Sequence, residues 1–203
     1  LPPLVDLSMG KWKVENQQIN KGRIVLIYAG SPGGFGKDRI DTVINVLSDI
    51  RKNRDINVLF NVVGITKNEY QHIFNIKTWP KHIDEFVSFK GRLSHVETLK
   101  EIRHSDYQVF VRDVNLSNTA GFPTKFVEAI SCGTPVLTNS SSNIEKFFQN
   151  GKTGYILDIS SYDKLKESLL KALTVNQEEI KAMKNYCRNS RVFHYSNYTN
   201  AFQ

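Results

Sequence analysis

The stretch "RIVLIYAGSPGGFGKDRIDTVINVL", residues 23–47, decides the fold. Its opening segment, 23–30, has an unbroken apolar middle, which predicts a strand buried on both faces. A glycine-rich loop, "SPGGFGK", follows at 31–37, and then Ile40, Val43, Ile44 and Leu47 recur along one helical face. The unit is strand, loop, helix.

The same grammar repeats down the chain. "INVLFNVVG" at 56–64, "EFVSF" at 85–89, "YQVFVR" at 107–112, "TPVLTN" at 134–139 and "TGYILD" at 153–158 read as further strands. Three capping boxes, "TKNE" at 66–69, "SHVE" at 94–97 and "SNIE" at 142–145, each predict a helix start. In the second of these helices Val96, Leu99 and Ile102 are expected to face inward, and Leu165, Leu169, Ala172 and Leu173 mark a long later helix. Alternating units of this kind require crossovers between parallel strands. The predicted fold class is therefore α/β, a Rossmann-like doubly wound parallel sheet of about six strands with helices on both faces.

The chain has 203 residues, of which 40% are hydrophobic and 23% charged, enough for one well-packed domain. Residues 1–22 mix Pro2, Pro3, Gly10 and Gly22 with polar side chains and read as a connecting segment, leaving 23–203 as the domain. The start "LPPLVDLSMGKW" reads as the middle of a longer protein. Cys132 and Cys187 lie far apart without CxxC spacing, and the five histidines form no HxH or HExxH pair, so neither a disulfide framework nor a zinc site is expected. A reducing, cytoplasmic setting fits this cysteine usage. No apolar run approaches the ~20 residues that span a bilayer.

A net charge of +7 suits nucleic acid, an anionic membrane surface or a phosphorylated ligand. The basic residues are dispersed and no RRM, KH or zinc-finger pattern occurs, which argues against a nucleic-acid partner. In a parallel sheet ligands bind beyond the carboxyl ends of the strands, near the reversal of strand order. The loops expected there are "SPGGFGKDR", "GITK", "KGRLS", "RDVNLSNTAGFPT" and "NSSS".

The fourth loop runs into "GFPTKFVEAISCG" at 121–133, a predicted helix with Thr124 as N-cap, Lys125 in the first turn and Gly133 as the stop before Pro135. Free amides and the positive dipole end make such a terminus an anion site, to which Lys125 adds charge. Glu128, one turn further in, is suited to accept hydrogen bonds from sugar hydroxyls. The combination suits a nucleotide, with diphosphate on the helix end and ribose on the carboxylate. The plainer alternative makes Lys125 a solvated residue and Glu128 a partner of the helix dipole. The loop at 30–37 lacks the P-loop ending, because Asp38 follows Lys37, and it is no regular GxGxxG fingerprint. It nevertheless brings the amides of Gly30, Ser31, Gly33 and Gly34, with Lys37, to the same edge.

Taken together, "YAGSPGGFGKDRIDTVINVL", "VLFNVVG", "VSFKGRLSHVETLKEIRHSDYQVFVR" and "FPTKFVEAISCGTPVLTNSSSNIEKFFQNGKTGYILD" resemble the C-terminal, donor-binding domain of the GT-B glycosyltransferases, in the large retaining group often called family 4. The resemblance implies transfer of a sugar, of the hexosyl type, from a nucleotide diphosphate sugar to a saccharide or lipid-linked acceptor, as in polysaccharide biosynthesis. It implies no cofactor besides that donor substrate, no required metal, an N-terminal acceptor domain outside this chain, and peripheral membrane contact of the full-length protein. By position, Lys37 matches the family's lysine on the donor diphosphate. Glu128 matches the second glutamate of the E-x7-E motif, which holds the ribose. Residues Gly121, Phe122, Pro123, Thr124 and Lys125 match the phosphate-binding helix start, and Arg92 falls near the base and phosphates, with Arg39 a weaker diphosphate candidate.

Two positions depart from that pattern: Ser31 stands where the family has arginine, and Ala120 where it has the first glutamate. Asp113, Asn115 and Asn118 lie on the same loop, as substitute sugar ligands or as turn formers. The departures motivate the alternative of a catalytically inactive nucleotide or nucleotide-sugar binding module. Phe147, Phe148 and Tyr155 have spacings of packed core residues, and Cys132 reads as a buried small residue.

Overall fold

A computed structural model describes residues 1–13, 22–33, 37–54, 56–119 and 121–202. The six expected strands all form: β1 Ile24–Ala29, β2 Val58–Val63, β3 Val87–Gly91, β4 Tyr107–Phe110, β5 Val136–Thr138 and β6 Gly154–Ile156. They make one sheet in the order β3-β2-β1-β4-β5-β6, and every pairing is parallel. All six residues of β1 are buried, as a central strand covered on both faces requires.

The helices are α1 Ile40–Asn53, α2 Lys67–Ile73, α3 His95–His104, α4 Leu116–Thr119, α5 Thr124–Ser131, α6 Tyr162–Leu173 and α7 Gln177–Ser190. Helix α1 packs on α6, while α5 packs on α3 and α7, which gives the two helical layers of a doubly wound, Rossmann-like sheet. Helix α1 turns Ile40, Val43, Ile44 and Leu47 into the core, and α6 does so with Leu165, Leu169, Ala172 and Leu173. Phe147 and Phe148 join an aromatic cluster with Phe122, Phe126 and Phe193, and Tyr155 packs against the same core, as their spacing predicts.

Local signals hold with two corrections. Thr66 with Glu69 and Ser94 with Glu97 form reciprocal capping boxes. The third expected box, at 142–145, does not form. Ser142 and Asn143 adopt left-handed φ of 55° and 49°, the Ser142 hydroxyl donates to the Asn118 carbonyl, and Glu145 accepts from Ser140. Only a 3-10 turn, Ile144–Lys146, follows. Val96, expected inward, is exposed, because it faces a surface cleft shared with Gly10 and Lys11 instead of the core. Leu99 and Ile102 are buried as expected.

The described part of the first segment lies on the domain. Val5 exchanges backbone hydrogen bonds with Phe193 and Tyr195, Trp12 is buried, and the Lys11 carbonyl accepts from Arg103 at 2.7 Å.

At the carboxyl edge the exits of β1 and β2 come together. The Gly30 amide donates to the Val63 carbonyl, and Gly64 adopts φ +111° with its open side 2.2 Å, measured from an ideal Cβ, from the Gly30 oxygen. No side chain fits there. Gly64→Ala is expected to cost at least about 2 kcal/mol, from strained backbone plus a backbone clash. Urea unfolding of the two proteins checks this, and an unchanged midpoint would refute the close approach.

Candidate functional site

Strand order reverses between β1 and β4, so the loops leaving these two strands diverge and open a crevice at the carboxyl edge. Helix α5 begins at this edge because it follows the loop that leaves β4. Its N-cap is Pro123, not Thr124: the helix starts at Thr124 and no side chain caps it. Proline carries no side-chain acceptor, and the Phe126 amide donates to the Pro123 carbonyl at 3.0 Å, so the amides of Thr124 and Lys125 are left for an external acceptor. Thr124 and Gly121 are exposed beside them, whereas Phe122 turns its ring into the aromatic cluster. Gly133, at φ +74°, ends the helix as expected.

For Lys125 the plainer alternative, a solvated residue, does not hold. Its side chain is neither solvated nor directed outward, because it is only 12% exposed and its Nζ lies 2.9 Å from Asp38. The chain runs across the open face of Gly30, where a Cβ would stand 2.6 Å from Lys125 Cε. Asp38 is fully buried and also accepts from Arg112 Nε at 2.8 Å and from the Tyr28 hydroxyl at 2.8 Å. Burial pushes its carboxyl upward, but Lys125 and Arg112 outweigh that and hold it below its ordinary value of 3.8. Burial, together with the Asp38 charge, pushes the Tyr28 hydroxyl far up, so it remains a donor. Two cations around one anion leave this cluster one positive charge directly behind Gly30.

Lys37 is exposed, and no ion pair to it occurs among the described residues. Its stem passes Gly33, whose φ of +73° turns the loop. Ser31 is exposed and shares a cavity of about 360 Å³ with Ile65, Glu69, His72 and Arg92. Arg92 itself is 80% exposed and pairs with Glu69 at 2.9 Å. Glu128 is 27% exposed, one turn inside α5, and its Oε1 lies 3.1 Å from His95 Nε2. Gly34 and Ala120 lie outside the described residues.

The loop after β4 is held by its own side chains. Asp113 pairs with Arg39, which also pairs with Asp41 at 3.1 Å, so Arg39 carries two carboxylates. The Asn118 amide donates to Asn115 Oδ1, and Asn118 Nδ2 donates to the Asp113 carbonyl, which is turn chemistry. Cys132 is buried, and burial pushes its thiol up to about 12, unlike a nucleophile.

Asp38, Arg112, Tyr28 and His95 carry the local electrostatics, and the sequence reading assigned none of them a role. One signal existed for Arg112: a charge that closely follows a buried strand needs a partner. A larger cavity, about 620 Å³, lies at the amino edge of the sheet around Arg51, Arg54 and Asn57. It is formed by the end of α1 and the loop into β2, away from the switch point.

Asp38 stabilises the fold above its ordinary pKa, and that contribution disappears as pH falls through its lower folded value. Asp38→Asn leaves two buried cations unpaired and is expected to cost about 3–5 kcal/mol at neutral pH. Urea midpoints measured from pH 7 down into the acid range should converge between the two proteins as Asp38 protonates. Parallel curves would show that Asp38 is not the titrating group.

Comparison with known proteins fits this geometry. Residues 12–190 match the family described as glycosyl transferases group 1. Among curated relatives, the uncharacterized glycosyltransferase MJ1178 of Methanocaldococcus jannaschii is 26% identical over 142 residues, covering 68% of this chain and 36% of that protein. Among solved structures, WaaG, a glycosyltransferase involved in lipopolysaccharide biosynthesis, superposes with a TM-score of 0.68 at 20% identity, over 94% of this chain and 50% of its own. HepE of Anabaena, solved with UDP, gives a TM-score of 0.71 at 13% identity, over 98% of this chain and 54% of its own. The chain thus spans half or less of the length of MJ1178 and WaaG. By its match over most of its length, the chain belongs to the glycosyl transferases group 1 family.

Proposed function

We propose that the chain is the donor-binding half of a retaining glycosyltransferase, holding a nucleoside diphosphate sugar across the carboxyl edge of its sheet. The observation that carries the reading is the uncapped N-terminus of α5 beside Gly30 at the switch point, with Glu128 one turn further in. The diphosphate lies on the first-turn amides and on Lys37, and the ribose lies on Glu128. Gly30, Ser31 and Gly33 shape the phosphate side, while Arg92 flanks the nucleoside.

As the bond from sugar to phosphate breaks, negative charge grows on the departing diphosphate. Preorganised donors aimed at that charge lower the barrier. The amides of α5 and Lys37 are such donors, and the net positive charge of the Lys125, Asp38 and Arg112 cluster adds its field from behind Gly30. Lys125 acts through that field, since its ammonium is held by Asp38. Arg39 drops out of this role because two carboxylates occupy it. In this reading the protein supplies all the positive charge, so no metal cofactor is required.

The acceptor, a saccharide or lipid-linked sugar, approaches from a second domain, and the whole protein acts in the cytoplasm in polysaccharide assembly with peripheral membrane contact. Support for the partner class comes from relatives: the HepE structure holds UDP, and a structure of S. aureus TarM holds UDP with α-GlcNAc-glycerol. The second reading, an inactive nucleotide-sugar binding module, is favoured by Ser31 and Ala120.

The 203-residue chain is expected to bind a nucleoside diphosphate weakly and to transfer no sugar by itself. Calorimetry and a transfer assay over a panel of nucleotide sugars test this, and robust turnover would overturn the two-domain reading. Lys37→Ala should weaken a nucleoside diphosphate far more than the bare nucleoside; equal losses would mark Lys37 as structural.

Glu128→Ala should cost roughly one to two decades in ribonucleotide affinity, because hydrogen bonds to a carboxylate are worth on the order of 1.5–3 kcal/mol. It should leave a 2′,3′-dideoxy analogue nearly unaffected. Equal loss of both ligands in a folded variant would remove the ribose role.

A further inference from the structure

We infer that His95 is a positioning residue for the ribose, fixing the Glu128 carboxylate from α3, and that Trp12 holds His95 in turn. The inference rests on the donor-binding reading of Glu128 above.

The geometry forms a chain of three side chains from three separate elements. Glu128 Oε1 lies 3.1 Å from His95 Nε2. An ionised carboxylate only accepts, so the imidazole presents its Nε2–H to Glu128. The Trp12 ring stands edge-on to the imidazole, with centroids 6.1 Å apart and planes at 84°. Trp12 is buried, so it is a fixed wall for the imidazole.

The backbone of His95 is fixed as well. It is the first residue of α3, directly behind Ser94, whose hydroxyl and amide are both engaged with Glu97 in a capping box. A histidine pinned at its backbone and along its ring offers a donor of defined position. Glu128 alone is a flexible side chain at a partly exposed site, and ordering it on ligand binding costs side-chain entropy. The hydrogen bond from His95 reduces that cost before any ligand arrives.

The bond also leaves capacity for a diol. Oε1 retains a second lone pair, and Oε2 has no hydrogen-bond partner among the described residues. Two adjacent hydroxyls can therefore each donate to one carboxylate oxygen while His95 stays in place. Because Trp12 belongs to the segment ahead of β1, ribose binding at α5 and the packing of that segment are linked through one imidazole.

The experiment uses the 203-residue chain and whichever of UDP, GDP and ADP binds it most tightly, together with the 2′,3′-dideoxy form of that nucleotide. His95→Ala is expected to weaken the ribonucleotide about 5- to 10-fold and the dideoxy form by less than about 2-fold. His95→Gln, which restores a nitrogen donor, should recover most of the loss. The double variant His95→Ala with Glu128→Ala should bind no more weakly than Glu128→Ala alone.

A spectroscopic arm reads the third member. The chain has two tryptophans, so Trp79→Phe leaves Trp12 as the reporter. Its emission should change on adding the ribonucleotide and not the dideoxy form, and His95→Ala should abolish that change. Equal weakening of both ligands by His95→Ala, additive losses in the double variant, or no effect of His95→Ala beside a ribose-selective Glu128→Ala would each overturn the inference alone. Failure of Glu128→Ala to show a ribose-selective loss, or binding of none of the three nucleotides, would overturn the donor-binding reading and this inference with it.

Discussion

Asp38 carries a charge with no solvent exposure at the place where β1, the loop after β4 and α5 meet. A buried carboxylate is tolerable only when paired and hydrogen-bonded, and here each partner comes from a different part of the fold. Tyr28 comes from β1, Arg112 from the end of β4, and Lys125 from the first turn of α5. Satisfying one anion therefore fixes the β1 exit, the β4 exit and the start of α5 relative to one another. The crevice at the switch point inherits its shape from that requirement.

The same arrangement decides which groups remain for a ligand. Lys125 and Arg112 are spent on Asp38, Arg39 on Asp41 and Asp113, and Arg92 on Glu69. Lys37, which is exposed, and the amides of Thr124 and Lys125 at the start of α5 are left without such a partner among the described residues. Anion recognition by backbone amides does not depend on long flexible side chains, so less entropy is lost when a phosphate docks. Gly30 and Gly64 make room for a different purpose: the Lys125 side chain crosses the open face of Gly30 on its way to Asp38, and the Gly30 carbonyl fills the open side of Gly64.

The six strands were legible because burial on both faces leaves a continuous apolar run, and the parallel order followed from the helices between them. Two capping boxes were legible because their geometry involves only four consecutive residues. The box at 142–145 misled because Ser142 found a distant partner, the Asn118 carbonyl, that no local pattern reveals. Thr124 misled by one position, since Pro123 holds the entry conformation without offering a side-chain bond. Lys125 stands out in the sequence as a cation in the first turn of α5, but its commitment to Asp38 is a contact across 87 positions and leaves no mark in spacing. His95 was silent for the same reason, being an ordinary first residue of a helix until Trp12 and Glu128 are brought to it.

The central claim is that the first turn of α5, together with the loop leaving β1, is the surface that takes a diphosphate. Backbone amide chemical-shift mapping of the chain, titrated with a nucleoside diphosphate and separately with inorganic pyrophosphate, addresses it most directly. The account predicts that both ligands produce their largest shifts at Gly30, Ser31, Lys37, Thr124 and Lys125. Shifts concentrated instead around Arg51, Arg54 and Asn57 at the amino edge of the sheet would contradict it.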